Sequence, residues 1–336
     1  MSNSKQRIEW IELAQILSMI LIVFHHSMPN FTAVHPILAG LGGTLHYPAL
    51  ALFFFASGWL ATGWAERGYP GYIGRRAVRL LIPWIVISLL MLLPKALLAS
   101  PQARADLLSV GRLGWALLDP HGQGIMPHLW YLPALFLLCL LVPLLERAAR
   151  HKPAVVILLV AAFVCACLPE SWVKVTTVLC LNEIRMYLFW FLLGYFGRKR
   201  LGEIRFGKPL LIPAAVLSWT AAVLLVFFAG AFPFPRVLIT AFGFVGILSL
   251  ALLAAGGLRP LILFFRGKTM CVYLWSLCAQ NLVEVLAGKV HLNGELACLI
   301  MFVTGLAVPL AICALLSLVE KLSGRRWKAL RVALGI

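Results

Sequence analysis

Glu12, Gln15, Ser18, His25 and His26 interrupt an apolar run near the start of the chain. Ionisable groups inside such a run are costly and mark function by default. At 100° per residue, Gln15 and His26 fall within about 20° of one another on a helix, with Glu12 about 60° from the first and about 40° from the second. Gln15 and His26 are separated by about 16 Å along the axis. One stripe thus carries a carboxylate and an amide at one end and an imidazole at the other, and His25 sits about 100° round on a neighbouring face. Imidazole titrates near neutrality and suits removal of a proton from a hydroxyl. A plainer reading puts Glu12 at the interface and uses the histidines to end a helix before Pro29. Three polar groups on one stripe favour function.

A second cluster is Gly74-Arg75-Arg76-Ala77-Val78-Arg79, read as an inner loop that opens a span. Three guanidiniums within five residues could clamp phosphates, which they bind bidentately. Anchoring by inside positive charge explains them equally, and charge alone favours that reading. The histidines are skewed: His25, His26, His35, His46, His121, His128 and His291 map to the outer side, with only His151 inside. Glu284 falls in an apolar segment, as do Glu183 and Arg185, which at a spacing of two do not face each other and need partners from other helices.

The elements that hold these groups follow from composition. Of 336 residues, 62% are apolar and 12% charged; soluble domains run at about 45–50% and about 25%. A water-soluble core, a disordered chain and a disulfide scaffold are excluded. A membrane helix needs about 20 apolar residues. Residues 13–65 carry no Asp, Glu, Lys or Arg and are broken by Pro29, Pro36 and Gly42-Gly43, which predicts two spans. Further spans are expected near 77–94, 127–145, 153–169, 175–197, 209–231, 237–257, 269–288 and 296–319, ten in all.

With the N-terminus inside, 22 Lys and Arg fall on inner segments and 6 on outer ones, which orients the ten helices with both termini cytoplasmic. The net charge of +17 is therefore topological, and nucleic acid is not an expected partner. The first apolar run has no small-residue cleavage site after it, and is expected to stay as the first helix. All eight cysteines fall in apolar segments, where thiols pack as small hydrophobes, and no metal site is expected. No repeat or soluble second domain is seen. Residues 1–336 are expected to form a single all-α polytopic domain, with one long outer connection near 95–126 and a short basic tail at 320–336.

Taken in order, these pieces resemble the membrane acyltransferase 3 family. Its opening pattern is an acidic residue, a basic residue three later and a His eleven beyond; Glu12, Gln15 and His26 occupy those places. Phe53-Phe54-Phe55-Ala56-Ser57-Gly58-Trp59-Leu60 is similar to its second-span segment, and Arg75 to Pro83 to the arginine-rich stretch after it. His128-Leu129-Trp130-Tyr131-Leu132 resembles the fourth-span signature, and Phe191-Leu192-Leu193-Gly194-Tyr195 a later one.

The resemblance implies a membrane O-acyltransferase of a bacterial plasma (inner) membrane. Acetyl-CoA or succinyl-CoA would be a co-substrate rather than a tightly bound cofactor, and an envelope polysaccharide, glucan or glycolipid the acceptor. His26, with His25 and Glu12, would carry catalysis. Gln15, Ser57, Arg75, Arg76 and Arg79 would hold the donor, and His128 and Trp130 would stand on the acceptor side. The bilayer is a partner, and a second copy or glycan-synthesis proteins are compatible ones. Two departures stand out: Gln15 is uncharged, and Met270 to Ser276 lacks the His often found after Tyr-Leu in the ninth span. They leave a degenerate member that serves in an assembly as one alternative, and the ionisable groups in the spans leave another, a proton-coupled transporter or flippase-like carrier using Glu12, Glu284 and the histidines.

Overall fold

The computed structural model describes residues 9–61, 64–98, 100–169, 172–201, 207–228 and 235–336. Among them every regular element is helical, in the order α1 Glu9–His25, α2 Pro36–Thr44, α3 His46–Trp59, α4 Trp64–Leu98, α5 Pro101–Leu107, α6 Val110–Leu118, α7 Tyr131–Leu140 and α8 Val142–Ala148. There follow α9 Lys152–Cys167, α10 Leu181–Leu201, α11 Lys208–Phe227, α12 Pro235–Ala254, α13 Arg259–Phe265, α14 Thr269–Lys289, α15 Gly294–Ser323 and α16 Lys328–Leu334. Lys5, Arg7 and Arg205 of the inner basic set lie outside the described residues.

Among the described residues, seven helices are long and apolar enough to cross a membrane, and the bent pair α7–α8 would make eight. The 48° bend falls at Leu141, where Pro143 follows without an amide hydrogen to continue the ladder. Of the remaining two segments expected to span, α1 has 17 helical residues and α9 has 16. The helices carry their apolar residues outward as well as inward. Val156, Ile157 and Val160 of α9 are exposed, as are Leu282, Val285 and Leu286 of α14, while Ser276 and Gln280 of α14 are buried. In water such stripes would be aggregation sites. In hydrocarbon an apolar outer face with polar residues turned inward is what a helix bundle requires.

One expectation is revised. The arginine cluster is not in a loop. Gly68 takes φ 69° and breaks the chain, so α4 runs on from there and Arg75, Arg76 and Arg79 sit inside a continuous helix. The connection at 95–126 has regular structure of its own. It holds α5 and α6, each begun by a serine whose side chain accepts an amide hydrogen, Ser100 from Ala103 and Ser109 from Arg112. Charged residues lowered its apparent apolar content, but caps and periodicity at this scale still make short helices.

Contacts divide the chain into two compact units, residues 1–56 with 201–324, and residues 57–200 with 325–336. In the first, α1 packs against α2, α12, α13, α14 and α15, and α11–α12 and α14–α15 form two hairpins of extensive contact. Ile11, Leu13, Ala14, Ile16, Met19, Ile22 and Val23 are buried, so α1 is covered nearly all round. In the second unit, α4 packs against α5, α7, α8 and α16.

Candidate active site

In the first unit the end of α1 is built with care. A helix leaves its last carbonyls without intrahelical partners. Here the Ile22 carbonyl accepts the His26 amide, Phe24 accepts the Ser27 amide and hydroxyl, and Val23 accepts Nε2 of the fully buried Gln280 at 2.8 Å. The turn that follows is fastened to α14 and α15. Glu284 accepts both the backbone and side-chain NH of Asn30, and Glu295 accepts the backbone NH of His35. Glu284, placed by the sequence in an apolar segment, thus holds a loop.

Three imidazoles meet at this end. His25 and His26 have ring centroids 4.8 Å apart, and His46, the first residue of α3, stacks on His25 at 3.8 Å. His25 Nδ1 lies 2.6 Å from the Gly42 carbonyl oxygen. A carbonyl only accepts, so Nδ1 carries the hydrogen and a neutral His25 has its lone pair on Nε2. Gly42 also leaves room for Met28, whose Cε would stand 2.7 Å from a Cβ there. Tyr47 lies beside His46 at 4.0 Å, and the Arg236 guanidinium lies over the Tyr47 ring at 4.3 Å. Among the described residues no group of three or more His, Cys, Asp or Glu could hold a metal ion.

At the opposite end of α1, Glu12 Oε2 accepts Nε and Nη2 of Arg266 at 3.0 and 2.8 Å, and Glu9 pairs with Arg259 at 3.4 Å. Arg266 follows α13 just before Gly267, whose φ of 75° turns the chain into α14. Arg266 thus brings a cation from a distant part of the chain to Glu12.

The second unit holds the rest of the predicted set. Ser57 Oγ and the Tyr131 hydroxyl are 2.8 Å apart. Arg76 donates to the Leu60 carbonyl at 3.2 Å and lies 5.3 Å from the Tyr72 ring centre, while Arg198 donates to the Trp59 carbonyl at 3.0 Å. Two arginines therefore satisfy carbonyls at the C-terminus of α3, where positive charge is also favoured by the helix dipole. Arg75 and Arg79 are exposed. Gly58 lets α3 touch α10, because a Cβ there would stand 2.0 Å from the Phe191 carbonyl oxygen.

A family model described as an acyltransferase domain matches residues 8–318. The chain belongs to the membrane acyltransferase 3 family. No curated protein and no solved structure matches it. The protein is therefore an acyltransferase carried by multiple membrane helices.

Within this acyltransferase the predicted groups fall into distinct local settings. His25 and His26 share one imidazole cluster, Glu12 is paired, and Gln15 is half-buried on α1. Arg76 serves the α3 end while its neighbours remain exposed. Trp130 is only 9% exposed, with its ring 5.9 Å from that of Tyr187, and His128 is half-buried in the 3-10 turn Pro127–Trp130. Sequence reasoning missed His46 and Arg266. His46 was visible only as one more outer-side histidine. Arg266 looked like one more inner cation, since only the fold brings residue 266 to residue 12.

Proposed function

We propose that this acyltransferase moves an acetyl or succinyl group from cytoplasmic acyl-CoA to a hydroxyl of an envelope polysaccharide, glucan or glycolipid, in the inner membrane of a bacterium. The observation that carries the reading is the imidazole cluster at the end of α1, with the His25 tautomer set by the Gly42 carbonyl. His26 is the general base. It takes the acceptor's hydroxyl proton as the new C–O bond forms at the acyl carbonyl, the thioester C–S bond breaks, and the departing CoA thiolate is protonated. His25 and His46 pack beside it and keep its surroundings fixed. General-base assistance of this kind is worth about 10²–10⁴-fold in rate.

Arg75 and Arg79 are the arginines available to CoA phosphates, with Arg76 fixing the helix end beside them. Ser57, held by Tyr131, belongs to the same donor-facing set. Glu12 acts through Arg266, which it anchors at this end of α1. A carrier coupled to protons through Glu12 and Glu284 loses support, because Glu12 is neutralised by an arginine and Glu284 is taken up by Asn30.

The test is turnover by purified protein in lipid nanodiscs, with acetyl-CoA and succinyl-CoA supplied separately and free thiol measured. It is paired with mass spectrometry of envelope glycans from cells with and without the gene. Thiol release with one donor and an acyl mass missing from the deleted strain are expected. No turnover with either donor, together with unchanged glycans, overturns the reading.

A further inference from the structure

A second imidazole site lies in the other unit. Glu183, in the first turn of α10, is 1% exposed, and its Oε1 is 2.5 Å from Nδ1 of His121, whose side chain is 45% exposed. Its Oε2 is buried with no hydrogen-bond partner among the described residues. A buried carboxylate is expensive, and a half-satisfied one more so. A clamp selected only for stability would fill both oxygens. An incompletely satisfied carboxylate that orients an exposed imidazole instead has the form of a positioning pair, with the acid fixing ring orientation and tautomer.

The frame around the pair is rigid. Asp119 accepts the Gly122 amide at 2.9 Å and the Thr177 hydroxyl at 3.0 Å, tying the His121 turn to the segment before α10. Leu179 and Cys180 there both have φ of 54°, a strained setting for residues with side chains, and the Cys180 thiol reaches the Trp130 carbonyl at 3.6 Å. Strain of this kind persists where surrounding structure over-determines it, and clusters at functional sites. The Trp130 ring lies 5.7 Å from that of His121. The group behind the imidazole is a carboxylate, Glu183, which disfavours an anion, so the surroundings suit a neutral hydroxyl compound better than a phosphate.

We propose that His121, oriented by Glu183, binds a hydroxyl of the saccharide acceptor through its Nε2, as a positioning residue on the side that charge placement assigns to the outside. The proposal rests on the glycan acyltransferase reading and gives that reading an acceptor subsite.

His121→Asn decides between this role and a merely structural one, since the Asn amide can replace Nδ1 as donor to Glu183 but offers nothing in place of Nε2. The probe is an equimolar set of methyl glycosides of glucose, galactose and N-acetylglucosamine, observed by saturation-transfer NMR on nanodisc protein. Melting temperature and thiol release are followed in parallel. The expected result is binding by the wild type, and loss of signal in His121→Asn at an unchanged melting temperature. In turnover, KM for the acceptor should rise about tenfold, as for one lost hydrogen bond, with KM for acyl-CoA unchanged. Full saccharide binding by His121→Asn, or no binding by the wild type, overturns the subsite. Absence of thiol release by the wild type instead overturns the acyltransferase reading of the donor and leaves the NMR result to judge the subsite.

Discussion

Replacing Gly58 with Ala should damage the second unit far more than one methyl group suggests. The new Cβ would stand 2.0 Å from the Phe191 carbonyl oxygen, 2.9 Å from its carbon and 3.0 Å from the Tyr195 nitrogen, where real contacts do not fall below 3.0 Å. The obstacle is backbone, so no side chain can turn aside, and α3 and α10 must part by about 1 Å. Overpacking costs about 1–3 kcal/mol, and a backbone clash belongs at the upper end. The same displacement pulls on the Trp59 and Leu60 carbonyls, now held by Arg198 at 3.0 Å and Arg76 at 3.2 Å. A loss of about 3 kcal/mol corresponds to a fall of roughly 6–12 °C in Tm for a domain of this size. Gly74→Ala is the control, because nothing lies within 4 Å of its Cβ and it sits in the helical run of α4. That change should hold or raise stability by up to about 1 kcal/mol. Thermal melts of both variants in one detergent are the assay. A Gly58→Ala protein that melts within a degree of wild type would refute the packing argument.

The ion pair and the roles of the arginines can be checked alongside. Glu12→Gln and Arg266→Gln should show a coupling of about 1–2 kcal/mol in a double-mutant cycle on stability, between the values for exposed and buried pairs; strict additivity would count against the pairing. Among the arginines, Arg76→Ala should lower Tm through loss of the α3 cap. Arg79→Ala should leave Tm unchanged and raise KM for acyl-CoA about tenfold. Equal effects of the two on both quantities would contradict the division of roles.

The all-helical membrane architecture was legible because apolar runs of helix length leave few alternatives. The polar stripe on the first helix was legible for a similar reason: a period of 3.6 residues places Gln15 and His26 on one face whatever surrounds them. What escaped was everything set by tertiary contact. Residue 266 meets residue 12, residue 280 caps residue 23, and residue 183 meets residue 121, and no local pattern announces any of these pairs. Arg76 shows the same limit from the other direction. Its spacing with Arg75 and Arg79 suggested one shared task, yet the end of α3 claims it alone. The loop expected around Gly74 failed because a single positive-φ glycine at 68 set the helix start earlier than the charge pattern implied.

The central claim is that His26 is the base for acyl transfer, and it is tested most directly by His26→Ala assayed beside wild type at matched membrane abundance and matched Tm. Acylated glycan should fall by at least about 100-fold in the variant, as expected for loss of a general base. Full acylation by the folded His26→Ala protein would contradict it.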